Sequence, residues 1–145
     1  MATQATYDDV NLILKLFEVR REEKLREARA FMTGKFKAST LEEMNQLCPP
    51  GSTEHAYFRM TIGYWDMVAS FVTAGVLNAD LLFQSTGELA FTYEKIRELT
   101  PQIRAAMNYP ALAANLEKVA DAYLEWLDSR SRGAAAAFQA RAKGM

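Results

Sequence analysis

The residues best suited to chemistry lie on one face of the least polar long segment, residues 56–75. Five polar or small residues in it are spaced four, three, four and three apart, which places them on one side of a helix; they are Arg59, Gly63, Asp66, Ser70 and Thr73. Tyr64 and Trp65 lie beside this line. The pattern indicates a polar cleft for a small ligand, with Arg59 and Asp66 as its floor and the two aromatic rings as its walls.

The same pattern also has structural interpretations. A buried charge is unfavourable unless it is paired and hydrogen-bonded, so the line could be a solvent-exposed stripe or an ion pair that fixes helix register. The candidate partners are arginines on other segments: Arg20, Arg21, Arg26, Arg29, Arg97 and Arg104. We expect the register-fixing ion pair, and we keep the ligand-binding cleft as the alternative.

The sequence lacks the residues that other kinds of catalytic site usually require. His55 is the only histidine and Cys48 the only cysteine, so a zinc site would need mostly carboxylate ligands, which is unusual. A Cys48–His55 pair across the Pro-Pro-Gly turn has no acid to orient it. Phosphate-loop, dinucleotide and Gly-x-Ser-x-Gly motifs are absent from the sequence. We therefore predict no catalytic residues, no metal and no cofactor, and we lean towards a protein that is not an enzyme.

The charge distribution makes nucleic acid an unlikely partner. The net charge is −1, and glutamates are interspersed with the arginines of residues 18–29, where they would also face the phosphates. Residues 130–145 contain four basic residues and no acid. This tail could bind an acidic partner or simply be a frayed extension of the last helix, and we prefer a frayed or loosely docked tail.

Apolar residues recur at helical spacing through most of the chain. They predict three long helices and several shorter ones, and no segment alternates as a strand does. The fold class is therefore all-α, a single-domain helical bundle. The long helices span 6–32, 53–74 and 110–131, and the shorter ones span 40–47, 79–99 (kinked or broken near 85–87) and 101–108.

Cap and turn residues set these bounds. Thr6 can cap the first helix, and Gly34 ends it. Ser39-Thr40-Leu41-Glu42 has the form of a capping box, with Ser39 and Glu42 as the interacting pair. Ser52 precedes the central helix as its cap. Gly87 would cost about 1 kcal/mol inside a helix, which favours a break there.

The length of 145 residues fits one domain. We assign residues 1–131 to a single helical domain and residues 132–145 to a basic, alanine-rich C-terminal tail. No apolar run reaches the ~18 residues of a membrane span, and Met1–Gln4 lacks the layout of a signal peptide. A single cysteine suits a reducing compartment. We therefore expect a cytoplasmic protein that does not contact the membrane.

Several motifs in order resemble a known family. They are Arg26-Glu27-Ala28-Arg29, Tyr64-Trp65, Gly75-Val76-Leu77-Asn78 and Leu81-Leu82-Phe83. They resemble a family of small all-helical bacterial proteins known only as a domain of unknown function, over residues 7–127. The resemblance implies an all-helical fold and a bacterial source, but no activity. Many members carry an N-terminal membrane anchor, and we expect none here.

Two functional hypotheses follow. The first is a non-enzymatic protein–protein interaction or scaffold domain, with a homodimer or another protein as the partner. It rests on the lack of a catalytic constellation beside many aromatic residues that could lie at the surface: Phe36, Phe91, Tyr93, Trp126 and Phe138. The alternative is a small-ligand-binding or enzymatic domain that uses the polar cleft of Arg59, Tyr64, Trp65 and Asp66.

Overall fold

The computed structural model describes residues 4–144, and this part of the chain contains nine α-helices and no strand. The predicted all-α helical bundle is confirmed. In chain order the helices are α1 (Tyr7–Val19), α2 (Glu23–Gly34), α3 (Leu41–Leu47), α4 (Thr53–Thr73), α5 (Ala79–Ser85), α6 (Glu88–Ile96), α7 (Thr100–Met107), α8 (Ala114–Arg130) and α9 (Ala134–Gly144).

Helix α4 is the central element, as the sequence predicted. It packs against α2 and α8, and its inner face buries Phe58, Trp65 and Val68. The helix begins where Ser52 Oγ accepts the N–H of His55 at 3.1 Å. Burying aromatic and β-branched side chains on this face removes apolar area from water, which is the main source of stability of such a bundle.

The single long helix predicted at 6–32 was wrong, because the chain forms α1 and α2 with a break at residues 20–22. Glu22 begins the second helix, since its carboxylate accepts the N–H of Lys24 at 2.8 Å. The carbonyls at the end of α1 find donors elsewhere in the fold. Tyr64 Oη donates to the Leu16 carbonyl at 2.7 Å, and Arg29 Nη1 donates to the Arg20 carbonyl at 3.2 Å. The Arg20 carbonyl is a group that a continuous helix would have paired internally, whereas the Leu16 carbonyl also accepts the Arg20 N–H at 3.1 Å.

The predicted break near 85–87 is confirmed, because α5 ends at Ser85 and α6 begins at Glu88. Gly87 fits here for a steric reason. A Cβ at this position would lie 2.6 Å from Tyr123 Oη and 3.2 Å from Tyr123 Cζ. Only a residue without a side chain therefore allows Tyr123 to pack this closely.

Two further bounds differ from the prediction. The last long helix, predicted at 110–131, begins at Ala114, because Asn108 and Ala113 have left-handed backbone at φ 53° and 55° and interrupt the helical path. The capping box of α3 uses Thr40 and Glu43 instead of Ser39 and Glu42. Thr40 Oγ1 accepts the Glu43 N–H at 3.2 Å, while Glu43 Oε1 accepts the Thr40 N–H at 3.3 Å.

The basic tail contains the helix α9, which packs against α6 and α8. Phe138 is its main anchor, with its ring centroid 5.2 Å from that of Tyr123 and 6.1 Å from that of Phe91. Ala142 is also buried. The charged side chains of this helix are therefore held in defined positions at the surface of the bundle.

Candidate functional site

The predicted polar line does not form an ion pair. Arg59 is exposed and makes no salt bridge within residues 4–144. Asp66 Oδ1 accepts the backbone N–H of Leu116 at 2.9 Å. Helix α8 has no capping side chain of its own, because its N-cap residue is Ala113. Asp66 therefore caps α8 from a different helix, where a negative charge also favours the positive end of the helix dipole.

Tyr64 and Trp65 point away from Arg59, into the core. Their rings meet edge to face at a centroid distance of 4.9 Å, and both are buried. Burial raises the pKa of Tyr64 to about 12. The two rings line a cavity of about 10 Å³ that neither Arg59 nor Asp66 reaches. A binding role for the four residues together stays a prediction, and the structure brings only the two aromatic rings to a common cavity.

A polar junction, which we define as Arg20, Arg29, Thr86 and Glu88, connects the two helix breaks. Arg29 binds Glu88 through two hydrogen bonds, Nε to Oε2 and Nη2 to Oε1, each 2.7 Å long. These bonds raise the pKa of Arg29. Arg20 Nη1 makes a longer contact of 3.5 Å with Thr86 Oγ1. The junction ties the end of α1 and the body of α2 to the start of α6.

Sequence reasoning missed the role of Glu88, although two signals pointed to it. The tetrapeptide Ser85-Thr86-Gly87-Glu88 has a common composition, yet it places an acid one residue after a predicted helix break. Arg20 lies in the other break, and Arg29 lies in the helix that follows it. Opposite charges near two helix breaks are a reason to expect the two breaks to lie close together in the fold.

Helix α1 carries an exposed apolar surface, the α1 stripe, formed by Tyr7, Val10 and Leu14. These side chains are 78%, 39% and 61% exposed. Their spacing of three and four residues places them on one face. The opposite face buries Ile13 and Leu16, so the helix is fixed to the bundle with a second apolar face outwards.

The position of α1 is fixed further by Asp9. Its Oδ2 accepts the backbone N–H of Thr6 at 2.7 Å, and its Oδ1 accepts the backbone N–H of Asn78 at 2.8 Å. The first of these bonds, with help from the second, holds the pKa of Asp9 below its usual value. The carboxylate thus joins the start of α1 to the start of α5 and presents the α1 stripe in one orientation.

A separate cleft of about 280 Å³ opens between α9, α6 and the linker that follows α2. Three lysines from these three elements line it: Lys37, Lys95 and Lys143. We call it the lysine cleft. It is much larger than the cavity beside Trp65 and approaches the ~300 Å³ at which small-molecule sites begin.

The other reactive residue types are not assembled into a site. Cys48 is buried, and this burial raises the pKa of its thiol to about 11, which suppresses the reactive thiolate. Across residues 4–144, no group of three or more histidine, cysteine or acidic side chains is arranged to hold a metal ion.

The described residues form an all-α bundle with a buried apolar core, the polar junction, an exposed apolar face on α1 and a charged cleft. Residues 5–126 match the family described as a domain of unknown function (DUF4760), and the chain belongs to that family. No curated protein and no solved structure matches the chain. Among the described helices, none is both long and apolar enough to cross a membrane.

Proposed function

We propose that this protein is a non-enzymatic interaction domain that self-associates through the α1 stripe. The observation that carries the proposal is the exposure of three large apolar side chains on a helix whose other face is packed. Apolar surface of this kind, in a continuous stripe, is typical of protein contact sites. A cytoplasmic setting is part of the proposal and is supported by the single, buried cysteine.

A second copy of the chain fits this surface because the surface is self-complementary. In an antiparallel pair of α1 helices related by a twofold axis, Tyr7 of one copy faces Leu14 of the other, and the two Val10 side chains meet at the axis. The same symmetry brings Asp8 of one copy beside Lys15 of the other. A twofold interface requires this kind of self-matching, in which each contact occurs twice.

The charges at the edge of the stripe support this occupant over an unrelated partner. Asp8 and Lys15 are exposed, lie seven residues apart on the same edge of the helix, and form no salt bridge with the described residues. In the antiparallel pair each acid meets a base. In a parallel pair Asp8 would face Asp8 and Lys15 would face Lys15, which is unfavourable.

The size of the stripe limits the strength of the dimer. A stable interface buries roughly 800 Å² on each partner, and three side chains and their charged neighbours supply less. We therefore expect a weak dimer with a dissociation constant of about 10–100 µM. Such affinity suits reversible association, in which the monomer and the dimer are both populated.

The test is sedimentation velocity of the full chain at ~1–500 µM, a range that brackets the expected constant. Leu14→Lys should raise the dissociation constant at least about tenfold, because it places a charge in the apolar contact. Met107→Lys is the matched control, since Met107 is as exposed as Leu14, at 61%, and lies outside the stripe. It should leave the dissociation constant unchanged.

A charge exchange tests the antiparallel geometry. Asp8→Lys and Lys15→Asp should each weaken the dimer, and the double exchange should restore it, because each copy then presents the reversed pair. A wild-type chain that stays monomeric throughout the range would end the proposal. Restored affinity is not expected if the charges act only through net charge or helix stability.

A further inference from the structure

We propose that the outer face of α4 is a second self-association surface, on which α4 of another copy packs in antiparallel orientation. Six residues at helical spacing form this α4 outer face; they are Arg59, Met60, Gly63, Met67, Phe71 and Ala74. The inference goes beyond the dimer through the α1 stripe, because it uses a different helix and joins one such dimer to another.

The α4 outer face is the side of this helix that the bundle leaves uncovered. Helices α2, α6 and α8 pack against α4 and bury its opposite face. Met60 and Met67 are 37% and 40% exposed, and Phe71 is partly exposed. A Cβ at Gly63 would meet no other part of the described structure within 4 Å, so an open gap lies between the two methionines. Methionine adapts its shape to a partner and is common at binding surfaces.

The shape of the α4 outer face matches itself. In an antiparallel pair with a twofold axis at Met67, the two Met67 side chains meet, and Gly63 of one copy lies opposite Phe71 of the other. Met60 lies opposite Ala74 in the same way. Away from the axis, each large side chain therefore faces a small residue, and each contact occurs twice, as a twofold interface requires.

The charges select the antiparallel orientation. Arg59 is exposed and forms no salt bridge with the described residues. The last turn of α4 contains no basic residue, so no cation of that turn complements the negative end of the helix dipole. The antiparallel pair places Arg59 of each copy beside that end of the other helix, near Ala74, and separates the two arginines by about 24 Å along the axis. A parallel pair would place the two arginines side by side.

This contact should be weaker than that of the α1 stripe. Its two methionines are less exposed than Tyr7 and Leu14, so a smaller apolar area is buried. We expect a dissociation constant of about 1 mM. The α1 dimer therefore forms first as the concentration rises, and the α4 contact then joins dimers. A covalent cross-link captures a contact of this strength.

The experiment is disulfide cross-linking of full chains oxidised with diamide. Met67→Cys places a thiol on the twofold axis, where two copies can reach the geometry of a disulfide. The native Cys48 does not interfere, because it is buried and the pKa of its thiol is raised to about 11. Met67→Cys should form linked dimers at least about tenfold faster than Met107→Cys, a more exposed site outside the α4 outer face.

A mixture of two variants tests the register of the pair. Met60→Cys and Ala74→Cys should each cross-link slowly alone, because each new thiol faces an unchanged residue of the partner. When they are mixed, with one chain isotope-labelled for mass spectrometry, they should form the mixed disulfide preferentially. Dominant self-linking of either variant would overturn the antiparallel arrangement.

A substitution at the centre of the face tests the contact itself. In the Met67→Cys chain, Gly63→Glu fills the gap and offers Arg59 a partner within its own helix, so cross-linking should slow at least about tenfold. The fold should be unaffected, because glutamate is a good helix former and the space at this position is open. Ala106→Glu makes the same change of charge at an exposed position of α7 and should have no effect. Circular dichroism verifies that each variant is folded.

Three further results would overturn the inference. Equal rates for Met67→Cys and Met107→Cys would indicate random collision. Equal slowing by Gly63→Glu and Ala106→Glu would indicate an effect of net charge alone. Leu14→Lys in the Met67→Cys chain should leave the rate unchanged, and a slower rate would mean that the cross-link forms through the α1 dimer. This last arm separates a failure of the α4 contact from a failure of the dimer proposed through the α1 stripe.

Discussion

The polar junction and the lysine cleft both contain basic and acidic side chains, but the two regions differ in how these side chains are paired. In the junction, Arg29 and Glu88 satisfy each other through two bonds of 2.7 Å and are about one-fifth exposed. In the cleft, Lys37 and Lys143 make no salt bridge with any described residue, and the neighbouring Glu94 already has a partner.

This difference separates charges that stabilise the fold from charges that add little to it. A partly buried ion pair is costly to disrupt, because the remaining charge loses its partner while it stays away from water. An exposed charge without a partner adds little to stability. Substitutions in the junction should therefore change the free energy of unfolding more than substitutions of the exposed charges in the cleft.

The largest effect is expected where the two regions meet, at Phe138. Its ring packs on Tyr123 beside the Gly87 break, and its helix carries Lys143 into the cleft. Phe138→Ala should lower the free energy of unfolding by about 3 kcal/mol, as expected for a large cavity near the surface of a core.

Urea unfolding measures the stability change, and Phe138→Leu is the control that keeps most of the volume and should cost about 1 kcal/mol. If Phe138→Ala had the same free energy of unfolding as the wild type, the packing of α9 would not contribute to the stability of the bundle. The cleft, which depends on that helix for one wall, would then lose its structural basis as well.

The next effect is the loss of the junction's only acid. Glu88→Gln keeps the shape of the side chain but leaves Arg20 and Arg29 half-buried without a counter-charge. We expect a loss of about 2 kcal/mol in the free energy of unfolding, below the figure for a fully buried pair because both side chains retain some exposure. Urea unfolding at low salt measures it.

Glu98→Gln provides the comparison from the cleft. Glu98 is exposed and pairs with no base among the described residues, so its loss should change stability by less than about 0.5 kcal/mol. Equal destabilisation by the two substitutions would erase the distinction between the regions.

A smaller effect is expected at Gly87. The new Cβ of Gly87→Ala would approach Tyr123 Oη to 2.6 Å, and Tyr123 must shift to relieve the contact. The cost should be about 1–2 kcal/mol. Tyr123→Phe removes the nearest atom, so the double variant should recover about 0.5–1 kcal/mol relative to additivity. A double-mutant cycle by urea unfolding measures this coupling, and strict additivity would place the strain elsewhere.

The sequence predicts those parts of the fold whose determinants are local. The apolar spacing and the Ser52 cap are contained within a few residues of α4, and the glycine at 87 lies at the break itself. The break at 20–22 is different. There the Arg20 carbonyl accepts from the side chain of Arg29, and the hydroxyl of Tyr64 donates to the Leu16 carbonyl 48 residues away. Periodicity along one helix contains no information about such a donor.

In the candidate site, too, local features could be predicted from the sequence and contacts between distant segments could not. Helical spacing identified Asp66 as unusual, but its partner is a backbone N–H 50 residues later, which no side-chain pattern reveals. The lysine cleft was not predicted, because its three lysines come from distant segments and share no spacing. The basic tail was the nearest signal. Its charge was compatible with an acidic partner or with a frayed or loosely docked end, and it did not show that α9 would dock beside α6.

The smallest effect near neutral pH is expected from titration of Tyr64. Its hydroxyl donates to Leu16 and its pKa is raised to about 12, so the folded state retains the proton that the unfolded state loses near its usual ~10. The contribution of Tyr64 to stability is complete below pH ~10 and is lost as the pH rises towards 12.

Urea unfolding as a function of pH measures this loss. Tyr64→Phe is the control, because it has no hydroxyl to titrate and should lose less stability than the wild type over the same pH range. An equal loss in the two proteins would mean that Tyr64 does not contribute to the pH dependence.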